Sequence, residues 1–157
     1  MDFRTIVDNQ SFGVRVSALI IEEDKIYLAK SRNGEYYLLG GAIQVGEDTE
    51  TAMKRELMEE IGLHVTVDSL AFVVENQFVR EGRYHHQIEF LYLVTPVEKP
   101  TEQRFEEGSH HRTCEWIKLA DLPLLDNLNP DFLKEDLVKW DGKLKHVIER
   151  KRRKNGF

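Results

Sequence analysis

A single cysteine, Cys114, is the only thiol in the chain. It cannot close an internal disulfide, so the fold must hold without covalent staples, a pattern that suits a reducing cytosol. Long hydrophobic runs are also missing: none approaches the roughly 20 apolar residues that a membrane-spanning helix needs. The opening MDFRTIVDNQ lacks the basic-then-apolar layout of an export signal, so a cytoplasmic location is expected. Only four prolines occur, and no Pro/Gly-rich linker, repeat or low-complexity tract divides the sequence. One domain is therefore expected across residues 1–157, long enough to enclose a real core.

An excess of positive charge is lacking as well. The formal net charge is −6, which argues against generic nucleic-acid binding. The exception is the C-terminal KHVIERKRRKNGF, where Lys145, Arg150, Lys151, Arg152, Arg153 and Lys154 crowd together. Its plain reading is a solvated, partly frayed tail from about residue 150; contact with RNA or an acidic partner is the competing one.

What is present is ordinary apolar content, 41%, arranged in recognisable pieces. Gly13–Ile21 and Lys25–Lys30 are apolar, β-branched runs across a short polar turn, which predicts a hairpin. Tyr36–Leu39 runs into Gly40-Gly41, where a sharp turn is expected. Val65–Val79 and His85–Val94 read as long strands joined by EGRY, Thr113–Leu119 as another strand, and Asp131–Trp140 as a helix. The order predicts an α/β layering with helices packed on a mixed sheet.

The clearest helix spans 48–61, with Asp48 or Thr49 as N-cap and Gly62 at the C′ position. At roughly 100° per residue, Met53, Leu57 and Ile61 form the core stripe, and Glu56, Glu59 and Glu60 fill a neighbouring arc with Ala52 in its middle. Like charges at i,i+4 repel by a few tenths of a kcal/mol. Arg55 can neutralise one of the three, and a hard divalent cation, Mg²⁺ or Mn²⁺, would neutralise the others. Taken alone, E-x-x-E-E is more often a solvated face. The preceding LGGAIQVGE changes that balance, because a glycine loop lets backbone groups approach a metal and a phosphate closely.

The segment Gly41–Leu63 resembles the Nudix box, G-x5-E-x7-R-E-U-x-E-E-x-G-U with U bulky and aliphatic. It matches at Gly41, Glu47, Arg55, Glu56, Leu57, Glu59, Glu60, Gly62 and Leu63, every specified position across 23 residues. The resemblance implies a Nudix α/β/α sandwich and hydrolysis of a nucleoside diphosphate linked to another moiety. It also implies metal ligation by Glu56, Glu59 and Glu60 with the Gly40 carbonyl, while Arg55 and Glu47 hold the helix. Homodimers are common in the family, so a homodimer is expected.

Outside the box the candidates are fewer. The general base is expected to be Glu56 or Glu59. Glu89, an acid inside the apolar strand HHQIEFLYLV, is a candidate ligand or base, weighed against a solvent-facing position. Glu106 and Glu107, in a predicted loop, are a second choice. The pairs His85-His86 and His110-His111 cannot each clamp a metal from a strand, so zinc is not expected. His111, or His110, is expected to touch substrate phosphate from a loop. Phe78, Tyr84 and Trp116 are candidates to stack a base, although strand aromatics more often pack. Neither the proline nor the tyrosine that marks two known subclasses follows the box. The substrate is thus left between a nucleoside diphosphate derivative and a non-standard nucleoside triphosphate, with a non-catalytic sensor as the alternative outside enzymology.

Overall fold

A computed structural model describes residues 2, 4–107 and 110–150. Its organising element is β2, Gln10–Glu22, buried without interruption from Val16 to Ile20, where both of its faces are covered. Val16, Ala18 and Ile20 face one core, and Leu19 faces the other. Along Gln10–Ile20 it pairs in parallel with β7, Arg83–Pro96. Its other side takes β1, Arg4–Val7, and β5, Gly40–Ala42, both antiparallel. Beyond β7 lie β6, Val65–Arg80, and β11, Lys145–Arg150, which runs parallel to β6.

At its far end β2 turns into β3, Lys25–Ser31, as the hairpin reading expected. A second, smaller sheet grows from β3. It contains β4, Tyr36–Tyr37; β8, Gln103–Glu107; β9, His110–Lys118; and β10, Leu128–Asn129. The helix α1, Thr49–Ile61, covers one side of β2 through Ala52, Met53 and Leu57. The other side is covered by a 3-10 turn, Leu119–Leu124, and α2, Leu133–Asp136. The mixed sheet between helical layers is the expected α/β sandwich. Fully burying a Leu or Met contributes about 1.5–3 kcal/mol, so Met53 and Leu57 alone give α1 a strong reason to dock.

Four expectations change. The sharp turn read at Gly40-Gly41 is instead the strand β5, held antiparallel against Arg15–Ser17 of β2. The helix read over Asp131–Trp140 shrinks to Leu133–Asp136, because several of its amides bond three residues back, as Lys134 does to Asp131, rather than four. The 81–84 turn tightens to Glu81-Gly82; both have positive φ, the geometry of a two-residue hairpin loop, and Tyr84 joins β7. Glu106 and Glu107, and His110 and His111, are strand residues of β8 and β9 rather than loop residues. The basic stretch is ordered as far as Arg150, where the tail was expected to begin. Lys145–Arg150 is a strand that buries Val147, with Lys145 paired to Asp136 and His146 to Glu75. Lys151–Lys154 lie outside the described residues. No helix among the described residues is long and apolar enough to cross a membrane.

Cys114, on β9, is 1% exposed, and burial pushes its thiol up to about 12. In the unfolded chain a thiol ionises near 8.5. Its folded-state value is raised, so its contribution is full below about 8.5 and is lost as pH rises toward 12. Urea unfolding at pH 7 and pH 10 should show the parent losing about 2 kcal/mol more than Cys114→Ala over that interval. Equal losses would show that the thiol ionises freely in the fold.

Candidate active site

Local sequence sets the ends of α1. Asp48, not Thr49, is the N-cap: its carboxylate accepts from the Thr51 amide at 2.8 Å. This hydrogen bond holds the Asp48 carboxyl below the usual range. Gly62 ends the helix at φ 63°, its amide reaching the Met58 carbonyl while Leu63 reaches that of Leu57. Between these caps one side chain organises the acidic arc.

Arg55 is a fork with every tine used. Its Nε donates to Glu47 at 2.7 Å, and Nη2 donates to Glu47 at 2.9 Å and to the Ala42 carbonyl at 3.1 Å. Nη1 donates to Glu56 at 3.0 Å and to Glu59 at 3.1 Å. Charge-assisted, two-pronged contacts of this kind are strong and directional. They lower the Glu47 carboxyl, chiefly through the Arg55 hydrogen bond, and raise the guanidinium. Glu47 also accepts from the Gln44 amide at 3.0 Å, which ties the glycine loop to the helix.

Glu56 sits deeper than its neighbours. Burial pushes its carboxyl above the usual range, opposed by Arg55, with Glu59 and Glu60 both close enough to contribute. Its carboxylate occupies the space that a side chain on Gly41 would take: a Cβ there would lie 2.5 Å from it. Gly40 has its own reason, since its Cβ would lie 2.0 Å from the Val16 carbonyl of β2. Both glycines are thus required by close approach. Ala52, placed by helical spacing in the middle of the acidic arc, is fully buried in the core.

The NUDIX domain family matches residues 11–140. The chain belongs to the NUDIX family. The class of activity that comes with that membership is pyrophosphohydrolysis. A MutT-like protein of Streptomyces ambofaciens is 40% identical over 66 residues, which span 41% of this chain and 43% of that protein. An ADP-ribose pyrophosphatase of Methanocaldococcus jannaschii is 30% identical over 132 residues, covering 82% of this chain and 74% of the relative. In structure, a MutT protein from Bacillus halodurans superposes with a TM-score of 0.64 at 23% identity, covering 85% of this chain and 89% of that one. An ADP-ribose pyrophosphatase from Streptococcus suis gives 0.59 at 20% identity, covering 87% and 98%. The structural likenesses establish the fold.

In this NUDIX domain Glu47, Arg55, Glu56, Glu59 and Glu60 come together, as the spacing predicts. Among the described residues no three Asp, Glu, His or Cys side chains stand ready to hold an ion as they are placed. Nη1 of Arg55 engages Glu56 and Glu59, however, while Nε and Nη2 rest on Glu47 and Ala42. The donors on offer are all hard oxygens, which suits Mg²⁺ or Mn²⁺ once that one nitrogen lets go.

Glu89 is not brought to this cluster. The register Arg15↔Ala42 and Arg15↔Glu89 sets it two strands from β5, about 10 Å in backbone spacing. Its face is the one of Leu91 and Leu19, opposite Glu56. There it is 5% exposed and lines a cavity of about 230 Å³ that sequence reading missed. The available signal was polar residues interrupting apolar strands, Ser17 and Asn76 as well as Glu89. Phe78 lines the same cavity. Tyr84 is buried and donates to Gln77 at 2.5 Å, while Trp116 packs on Tyr27 and donates to Pro100. His111 is exposed and paired with Glu106 at 3.4 Å.

A Gly41→Ala variant should displace the Glu56 carboxylate. A shift of about 1 Å at a reacting group can cost 10²-fold, so turnover is expected to fall by roughly that factor. A variant as active as the parent would show that Glu56 does not need the place Gly41 leaves it.

Proposed function

We propose that the chain is a divalent-metal-dependent pyrophosphohydrolase that cleaves the diphosphate linkage of a nucleoside diphosphate joined to another moiety, water attacking phosphorus. The supporting observation is the Arg55 fork, which gathers Glu47, Glu56 and Glu59 at the edge of the glycine loop. Glu56, Glu59 and Glu60, with the Gly40 carbonyl, would hold Mg²⁺, Mn²⁺ being a possible substitute. When bound, the ion supplies charge to offset the diphosphate and lowers the pKa of water.

The protein's own groups do the rest. Glu47 and Arg55 act as one brace that fixes the angle of α1 against β5, so that the carboxylates need little reorganisation when substrate arrives. Glu56 or Glu59 takes the proton from the attacking water at the oxygen that Arg55 leaves free. Glu56 suits that role in one respect, since its partly desolvated carboxyl has a stronger appetite for a proton than an exposed one. The substrate is expected on the far side of the glycine loop, where Phe78 offers a ring to its organic part.

The name of the Methanocaldococcus relative supports a nucleoside diphosphate derivative, although the chain lacks the proline expected of ADP-ribose enzymes. Release of pyrophosphate from non-standard nucleoside triphosphates is the alternative, separable by whether the product is pyrophosphate or two monophosphates. A sensor role fits poorly with an intact set of box glutamates. The reading includes a homodimer and a cytoplasmic location, in keeping with the single thiol.

Glu60→Gln keeps the size of the side chain and removes its charge. Its turnover on a panel of nucleoside diphosphate derivatives with Mg²⁺ should drop at least about 10²-fold, with an unchanged melting profile. Parent-level turnover on every substrate would end this assignment.

A further inference from the structure

The cavity on the opposite face of the sheet from the acidic helix has its own chemistry. Its floor holds Glu89, a carboxylate 95% buried yet under-used. One oxygen accepts from the Asn76 amide at 3.3 Å, and the other lies 3.9 Å from Arg15 Nε, an ion pair beyond hydrogen-bond length. Neither contact saturates it, since an ionised carboxylate has about four lone-pair sites. Arg15, beside it on β2, commits Nε to Ser17 at 3.3 Å, and its two Nη atoms make no hydrogen bond among the described residues. A buried charge with spare acceptor capacity, aimed into a cavity, is costly unless a ligand completes it.

The order of these groups is specific. Arg15 presents donors, and next to it Glu89 presents two acceptors. The complement is a planar edge carrying an acceptor followed by two donors. Guanine offers that sequence on its Watson–Crick edge: the O6 carbonyl, the N1–H and the 2-amino group. Adenine offers a donor then an acceptor, which sets its ring nitrogen against the carboxylate. Cytosine reverses the pattern, and uracil satisfies one of the two Glu89 positions. Phe78 and Tyr37 line the cavity. Phe78 is stacked on His85 at 4.9 Å, and the guanidinium groups of Arg80 and Arg112 lie over the Phe78 and Tyr37 rings at 5.5 and 5.4 Å, so a flat base entering here meets guanidinium planes as well as aromatic ones. This recognition by hydrogen bonds to a base edge between aromatic walls has a physical precedent in enzymes that read an extruded base.

We propose that this cavity reads a guanine-type base, Arg15 donating to the O6 carbonyl while Glu89 accepts from the N1–H and the 2-amino group. The inference rests on the substrate being a nucleotide, as proposed above, and narrows its class to guanine nucleotides or guanine derivatives that keep this edge. The pocket selects because a site built around unpaired polar groups rejects ligands that leave them unpaired, often far more sharply than an apolar pocket rejects a misfit.

The test is equilibrium binding of 5′-monophosphates to the full chain by calorimetry, without divalent metal, so that catalysis plays no part. GMP should bind at least about tenfold tighter than AMP, with IMP, which lacks the 2-amino group, in between. Glu89→Gln should bring GMP to the AMP level and leave AMP where it was. The GMP, IMP and AMP series on the unmodified protein decides the matter even if Glu89→Gln fails to fold. Equal affinity for GMP and AMP, as recognition of the shared ribose diol would give, overturns the proposal. So does a GMP preference that survives Glu89→Gln, or no GMP binding at millimolar concentration. Metal-supported hydrolysis without base preference would sink this inference and leave the hydrolase reading standing. Selective GMP binding by a protein that hydrolyses nothing would do the reverse.

Discussion

Arg55 carries the arrangement of the acidic helix. Without it, Glu47, Glu56 and Glu59 would be three like charges beside a backbone carbonyl, each pushing the others toward solvent. With it, β5, which bears Gly40 and Gly41, is tied to the helix at Ala42 and the loop after it at Glu47, and two carboxylates are gathered on a single nitrogen. The exposed pairs elsewhere, such as Arg80 with Glu35 at 3.4 Å, lack this geometry and contribute little by comparison. A lysine in place of Arg55 would offer one point charge and no fork.

The second constraint is β2. As both of its faces are buried, it can serve two sites at once. On the face toward α1, Val16 meets Gly41 and, through it, Glu56. One residue earlier, Arg15 points to the other face, where Glu89 and Asn76 line the cavity. The alternation of a strand therefore sets the acidic cluster of α1 and the Glu89 cavity, the proposed metal and base sites, on opposite faces of the sheet. A one-residue slip in the β2–β7 register would exchange these faces and lose both.

These facts explain what could be read from the chain alone. The box was legible because its information is local: a capped helix, a glycine at each close approach and charges at i, i+3 and i+4. The hairpins were legible because their runs alternate or stay apolar between turn residues. Glu89 was noticed as an acid inside an apolar strand but aimed at the wrong neighbours, since its face depends on pairing with Arg15, 74 positions away in sequence. The strand at Lys145–Arg150 hid inside a basic stretch because only Val147 is buried, and a single buried position gives no period. The helix at Leu133–Asp136 looked longer than it is because apolar spacing does not reveal three-residue hydrogen bonding. Glu106, Glu107, His110 and His111 were read as loop residues because the pairing of β8 with β9 joins two polar, weakly patterned stretches.

The central claim is that Glu56, Glu59 and Glu60 are crowded together in order to take up a divalent ion. Titration of the full chain with Mn²⁺, following loss of the free-ion electron paramagnetic resonance signal, tests it without reference to any substrate. At least one ion should bind per chain, and Glu56→Gln should weaken that binding by about 10–100-fold, the usual loss on disturbing a metal site. Mn²⁺ uptake that is absent, or indifferent to Glu56→Gln, would contradict the account.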